Sequence, residues 1–312
     1  MTVAVLNAQL RPLLEARLPE WVDARWYSSK EEAVDLAPEA EIAWFDMHDK
    51  VAKAEAVRRA TCMRWLNSIA AGVDSFPLDL LRERGVIFTN GAGINAVTIA
   101  EYVVMGMLNI AKGYRAVMRA QDRHEWLRDS PGKRELQDSR ALVLGYGAIG
   151  QLIDARLAAF GVDVVKVRRS PGAGTLGPNE WRAHLGTFDW VILAVPATAE
   201  TEAMIGAPEL AAMKPDAVLI NIARGSVVDQ TELMIALRAG QIGGAFLDVT
   251  TPEPLPSDDP LWDMDNVHLT MHLSGLAQSR MFERSAERFL TNLERWRTGQ
   301  PVAPQVDLTL GY

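Results

Sequence analysis

Six mostly apolar runs in the C-terminal two-thirds of the chain constrain its fold more than any other feature. Residues 141–144, 162–167, 190–195, 217–222, 243–249 and 267–273 are short and rich in Val, Ile, Leu and Ala. A strand with one face in water alternates apolar and polar residues, whereas a strand covered on both faces does not need to. Helical patterns separate the runs, which predicts a parallel sheet with helices on both sides. Shorter runs at 3–6, 41–45, 64–69 and 86–89 repeat the arrangement in the first third. At 312 residues there is length for two domains. The expected class is therefore α/β, with two doubly wound, Rossmann-like domains. A proline-free helical pattern at 98–121 follows the turn Asn90-Gly91-Ala92-Gly93 and makes 94–98 a candidate hinge. A last helical pattern, 280–297, comes after the final strand, and the sequence leaves open which unit it joins.

The first of the long runs leads into Gly145-Tyr146-Gly147-Ala148-Ile149-Gly150, then a helical pattern at 149–160, Gly161 and the next run. Glycine triplets at this spacing are common, but here the triplet sits in a strand–turn–helix–strand context. In that setting Gly145 permits the tight turn, Gly147 lets backbone approach a pyrophosphate, and Gly150 lets helix and strand pack closely. Ala148 and Ile149 open the helix, whose unpaired amides and positive dipole end favour phosphate. This predicts a dinucleotide site. At the end of the second run, where an acidic residue would bind the adenosine ribose of NAD, the chain has Arg168-Arg169-Ser170. Guanidinium groups bind a 2'-phosphate through paired, charge-assisted hydrogen bonds. NADP(H) is the expected cofactor, with NAD(H) a possible second one.

The formal net charge of −8 argues against general affinity for nucleic acid. No run approaches the roughly 20 apolar residues that cross a bilayer, and the first ten residues do not resemble a secretory leader. With the single cysteine Cys62, a disulfide framework is excluded and a reducing, cytoplasmic setting is expected. The histidines His48, His124, His184 and His268 lack ligand-like spacing, so no metal site is expected. His48 lies near Trp44-Phe45 and is a candidate for the edge of a substrate cleft.

Several separated blocks, in order, resemble the D-2-hydroxyacid dehydrogenase family over essentially the whole chain. They are Ala71-Gly72-Val73-Asp74, Thr89-Asn90 with Ala100-Glu101-Tyr102, the 145–150 turn, and Asn221-Ile222-Ala223-Arg224-Gly225 with Val228-Asp229. Leu247-Asp248-Val249, Pro252-Glu253-Pro254-Leu255-Pro256, Pro260-Leu261-Trp262 and His272 complete the set. Trp44 and the tail Gln305-Val306-Asp307 with Gly311-Tyr312 make the chain look most like the glyoxylate/hydroxypyruvate reductases. The resemblance implies a substrate domain of residues 1–95 and 276–312, a cofactor domain of residues 96–275 inserted within it, and a cleft at the hinge. It also implies a homodimer formed through the cofactor domain near 98–121. Further cofactor contacts are implied for Pro196, Thr201, Ala223, Asp248, His272 and Ser274.

Reducing a 2-keto acid requires that its carboxylate be held, that charge growing on the carbonyl oxygen be neutralised, and that a proton arrive with the hydride. Arginine suits the first two tasks, having a planar fork and a permanent charge. Histidine suits the third, and a neighbouring carboxylate both orients it and favours its protonated form. Carried over by motif, these catalytic roles fall on Arg224, Glu253 and His272. Trp44, Gly72 and Val73 join Arg224 and His272 as expected substrate contacts, with the amides near Gly72 and Val73 on the carboxylate. The expected activity is NADPH-dependent reduction of a small 2-keto acid, such as glyoxylate or hydroxypyruvate, to the D-2-hydroxy acid. Met271 stands where the family usually has proline, and Thr250-Thr251 replaces an aromatic-acidic pair, so substrate preference can differ. Formate dehydrogenases share the fold but have glutamine at the position of Glu253, which speaks against that chemistry. The alternative from another class is a dinucleotide-sensing interaction protein of the same superfamily with vestigial catalysis.

Overall fold

The computed structural model describes residues 1–47 and 49–312. His48 lies outside the described residues, and with it the expectation that it edges a cleft. The chain divides into two compact units, Met1–Asn95 with Gln278–Tyr312, and Ala96–Ala277.

In the first unit β1 (Thr2–Asn7), β2 (Val22–Tyr27), β3 (Ile42–Ala43), β4 (Trp65–Asn67) and β5 (Ile87–Thr89) form a parallel sheet of order β2-β1-β3-β4-β5. Alternate residues feed two cores. Val5, Ala43, Leu66 and Phe88 pack on one side, and Ala4, Leu6, Ile42 and Trp65 on the other. This two-sided burial explains why the central runs are mostly apolar. The strand β2 is absent from the expected runs because it carries Asp23 and Arg25. It lies at the sheet edge and pairs only with β1, so its sequence never needed to be continuously apolar. The C-terminal helix Met281–Arg297 belongs to this unit. Its Phe289 ring lies 4.9 Å from Trp44 and 5.2 Å from Trp65, centroid to centroid.

The second unit holds β6 (Arg140–Leu144), β7 (Asp163–Val167), β8 (Trp190–Leu193), β9 (Val218–Asn221), β10 (Gly244–Leu247) and β11 (Val267–Leu269). All are parallel, in the order β11-β10-β9-β8-β6-β7. Leu142, Val191, Leu219 and Ala245 face one core, and Val143, Ile192, Ile220 and Phe246 face the other. Two parallel sheets covered by helices give the α/β, doubly wound architecture expected from the runs.

Two expectations need correction. The pattern at 98–121 is two helices, Ala96–Ala111 and Tyr114–Asp122. Gly113 interrupts it at φ +61°, and a Cβ there would lie 2.8 Å from the Gly132 nitrogen. Backbone packed this closely accepts only glycine, and the left-handed turn ends the first helix. The runs 190–195, 217–222, 243–249 and 267–273 also overshoot their strands, most of all the last, which stops at Leu269. Met271 and His272 take φ values of +49° and +58°, so His272 occupies a turn and not a strand.

Candidate active site

One row of paired residues crosses the second sheet: Val167, Leu144, Leu193, Asn221, Leu247 and Leu269. Because the strands are parallel, the segments beyond this row all emerge at the same carboxyl edge. Gly145, Arg168, Pro196, Arg224, Asp248 and His272 each lie within three residues of it. The strand β6 has β7 on one side and β8 on the other, so connections depart in opposite directions, and such a switch point opens a crevice for ligands.

The glycine turn opens there. Gly145 has φ +99°, and a Cβ on it would lie 2.4 Å from the Ala194 oxygen, while one on Gly150 would lie 2.2 Å from the Gly145 oxygen. Both are therefore held as glycine by backbone. Gly147 differs, because a Cβ there would meet nothing within 4 Å. It precedes the helix Ala148–Ala158, whose first turn receives no side-chain cap. Open space beside uncapped amides is what a pyrophosphate requires, and the residues present fit a dinucleotide. Ala148 is exposed at this end, and Ile149 packs partly on the core. Beyond β7, Arg168 and Ser170 are exposed, and Arg169 pairs with Glu200 at 3.1 Å. Ala223 is buried. The Thr201 hydroxyl is spent inside its own loop, donating to the Pro196 carbonyl at 2.7 Å and accepting from the Thr198 amide at 2.9 Å.

At the other side of this edge, His272 Nδ1 lies 2.9 Å from Glu253 Oε2. Glu253 Oε1 accepts the Thr250 amide at 3.2 Å. That hydrogen bond to Glu253 holds the imidazole above its ordinary pKa; burial and the Arg224 charge oppose it, and Glu253 and Asp248 add negative charge in its favour. For Glu253, burial pushes upward, but the hydrogen bond to His272 and the positive charges of His272 and Arg224 leave it below the usual carboxylate range. The result is an ion pair beside a guanidinium. Arg224 precedes the short 3-10 turn Gly225–Val227, and its Nη1 donates to the Ala223 carbonyl at 2.7 Å.

The turn that carries His272 is organised by buried Asp248. Its carboxylate accepts from Thr270 Oγ1 at 2.7 Å, from the Ser274 amide at 3.2 Å and from the Ser274 hydroxyl. The His272 amide donates to the Asp248 carbonyl at 2.5 Å. The side chains of Asp248 and Ser274 thus shape the turn that carries His272. Sequence reasoning missed Asn221, which is buried at the end of β9. Its Nδ2 donates to the Arg224 carbonyl at 2.9 Å, and its Oδ1 accepts the Ala223 amide at 3.0 Å. An amide inside an apolar run was the available signal, since buried polar groups need partners.

In the first unit, Trp44 is a core residue and not a ligand surface. It is fully buried against Phe289, with its indole N–H donated to Asp46 at 2.6 Å. A ring with no exposed area has nothing to offer a substrate, and the expected contact is withdrawn. Gly72 and Val73 lie in the loop after β4. Among the described residues their amides donate to no protein acceptor, while the flanking Ala70 and Ala71 carbonyls are held by the Gly91 amide at 2.9 Å and by Asn90 Nδ2 at 2.7 Å. In the described residues no three His, Cys, Asp or Glu side chains are grouped to hold a metal, and no helix is long and apolar enough to cross a membrane.

Comparison with known proteins agrees with this geometry. The family model for the D-isomer specific 2-hydroxyacid dehydrogenase, NAD binding domain, matches residues 104–274. Glyoxylate/hydroxypyruvate reductase B of Pectobacterium carotovorum is 33% identical over 74% of this chain and 75% of its own length. The D-3-phosphoglycerate dehydrogenase of Methanocaldococcus jannaschii is 30% identical over 78% of the chain, which spans only 47% of that longer protein. An NADPH-dependent glyoxylate/hydroxypyruvate reductase from Sinorhizobium meliloti, solved with NADP and malonate, superposes with a TM-score of 0.81 at 25% identity, covering 99% of this chain and 98% of that one. The chain belongs to the D-isomer specific 2-hydroxyacid dehydrogenase family. It is accordingly an oxidoreductase that works with a nicotinamide dinucleotide.

Proposed function

We propose that the protein reduces a small 2-keto acid, such as glyoxylate or hydroxypyruvate, to the D-2-hydroxy acid with NADPH. The observation that carries this reading is the His272–Glu253 pair at 2.9 Å beside Arg224, at the edge where the dinucleotide turn also opens. The bound dinucleotide supplies the hydride. His272, kept protonated by Glu253, gives a proton to the carbonyl oxygen, and Arg224 orients the substrate and stabilises charge developing on that oxygen. Arg168 and Arg169 receive the 2'-phosphate, and the NADP complex of the Sinorhizobium relative supports that choice. We further propose that two copies associate through the second unit. The exposed Met105, Tyr114 and Met118 provide apolar surface on the segment concerned, and Trp126, 93% exposed, lies just beyond it.

The test follows loss of reduced-nicotinamide absorbance with NADPH and with NADH across a panel of 2-keto acids, with D-3-phosphoglycerate oxidation as a further arm. Turnover of glyoxylate or hydroxypyruvate with NADPH preferred is the expected result. Turnover of D-3-phosphoglycerate alone would move the substrate, and tight cofactor binding without any turnover would overturn the enzymatic reading.

A further inference from the structure

Thr250-Thr251, which departs from the family pattern, forms a corner that packs against the Arg224 turn and holds Glu253, the partner of His272. On one side lies Gly225, next to Arg224. A Cβ on Gly225 would fall 2.1 Å from the Thr250 oxygen and 2.4 Å from Thr251 Oγ1, so the Arg224 turn rests directly on the corner. Within the corner, the Thr250 amide donates to Glu253 Oε1 at 3.2 Å, and Thr250 Oγ1 donates to the Pro252 carbonyl at 3.0 Å. The other oxygen of Glu253 is the one that meets His272.

What fixes the corner is Gln230. Its Nε2 donates to the Thr251 carbonyl at 2.8 Å, and its Oε1 accepts the Thr251 amide at 2.8 Å. One side-chain amide thus satisfies both main-chain groups of a single residue, as a neighbouring strand would. Gln230 is itself at the first position of the helix Gln230–Arg238, which is capped by Asp229 through the Thr231 and Glu232 amides, each at 3.1 Å. The corner is therefore tied to a rigid helix end, and not left to an exposed, proline-rich loop. Supports of this kind decide whether a catalytic group is held to the tolerance its chemistry needs.

We infer that Gln230 is a positioning residue that, through Thr251 and Thr250, holds Glu253 against His272 and so sets the proton affinity of the catalytic histidine. The inference rests on the proposed acid role of His272. The charged groups facing the imidazole are Glu253, Arg224 and Asp248. Asp248 is fixed by its own hydrogen bonds to Thr270 and Ser274, whereas Glu253 is held by the corner that Gln230 ties down.

The test compares wild type with Q230A and with Q230M, which keeps the bulk of the side chain and removes both hydrogen bonds. With NADPH and glyoxylate, the alkaline limb of kcat should move down by about half a pH unit or more in both variants. At pH 8 reduction should fall by up to about threefold for a half-unit displacement, with KM for NADPH within about twofold of wild type. A residue of merely structural importance would lower kcat equally at every pH and leave the limb in place. That result in Q230M would overturn the inference. The same comparison by NMR titration of the His272 imidazole needs no turnover, so an inactive wild type would defeat the functional reading while the clamp is still decided by the titration.

Discussion

Glu253 divides its two carboxylate oxygens between His272 Nδ1, at 2.9 Å, and the Thr250 amide, at 3.2 Å. One oxygen raises the proton affinity of the imidazole while the other keeps the carboxylate from swinging away. Because the folded-state pKa of His272 is raised, the protonated acid persists to higher pH than in a free imidazole and is lost as pH climbs through that raised value. Reduction should therefore fade on the alkaline side, where hydroxy-acid oxidation, which needs neutral His272 as base, improves. E253Q should move the reduction limb to lower pH. At pH 8 it should lower kcat about tenfold for each unit of displacement. Steady-state pH profiles in both directions check this, and an unmoved limb would count against the pair.

The three glycines of the dinucleotide turn should separate experimentally. Gly145 and Gly150 are held by backbone contacts, whereas Gly147 faces open space. G147A should fold with an unchanged melting temperature and bind the cofactor at least about tenfold more weakly, because only the pyrophosphate needs that space. G145A must place a side chain at φ +99° and 2.4 Å from a carbonyl oxygen, so it should lose about 1–3 kcal/mol of stability. Thermal melts beside cofactor titrations decide it. Equal loss of stability in both variants would contradict the assignment of Gly147.

A similar separation applies to Asp46, which accepts Trp44 Nε1 at 2.6 Å, the Ile69 amide at 2.5 Å and Ser68 Oγ at 2.7 Å. Burial pushes its pKa up against those hydrogen bonds. A raised folded-state pKa means its stabilising contribution is fully present at low pH and declines as pH rises through that value. D46N can keep all three contacts, since the serine hydroxyl can turn to accept, and it carries no charge to desolvate. It should melt at or above wild type near neutrality, whereas D46A should lose about 1–3 kcal/mol by leaving donors unpartnered. Melting curves of both variants at pH 5 and pH 8 check the order.

Much of this was legible in the sequence, for a physical reason. Strands buried on both faces, such as β6 and β8 to β10, are apolar at nearly every position, so they announce themselves. The edge strand β2 had no such obligation and passed unseen. Arg224, Glu253 and His272 were found by motif, but the turn that brings His272 to Glu253 depends on φ values no side-chain pattern encodes. Gly113 shows the same limit, since a glycine inside a helical pattern is tolerated often enough to be overlooked. Trp44 failed in the opposite direction. An aromatic residue at a strand end serves a core as readily as a ligand, and only packing against Phe289 distinguishes the two. Asn221, Asp248 and Gln230 act by holding backbone, which is a property of three-dimensional neighbours and not of spacing.

Cofactor choice depends on the end of β7, where Arg168 and Arg169 stand together. Arg169 already has Glu200 at 3.1 Å, in a setting exposed enough that the pair itself adds little stability. Its charge is thus partly offset before any phosphate arrives, which gives Arg168 the larger share of 2'-phosphate recognition. R168A should raise KM for NADPH about tenfold or more and leave KM for NADH within about twofold, since only NADPH carries the group in question. R169A should do the same to a smaller degree. E200Q, which removes a carboxylate that would repel the phosphate, should lower KM for NADPH, and added salt should narrow the difference between the cofactors. The NADPH-to-NADH ratio of kcat/KM is the quantity to measure. If R168A leaves it unchanged, the 2'-phosphate is recognised elsewhere, and the preference for NADPH loses its structural basis.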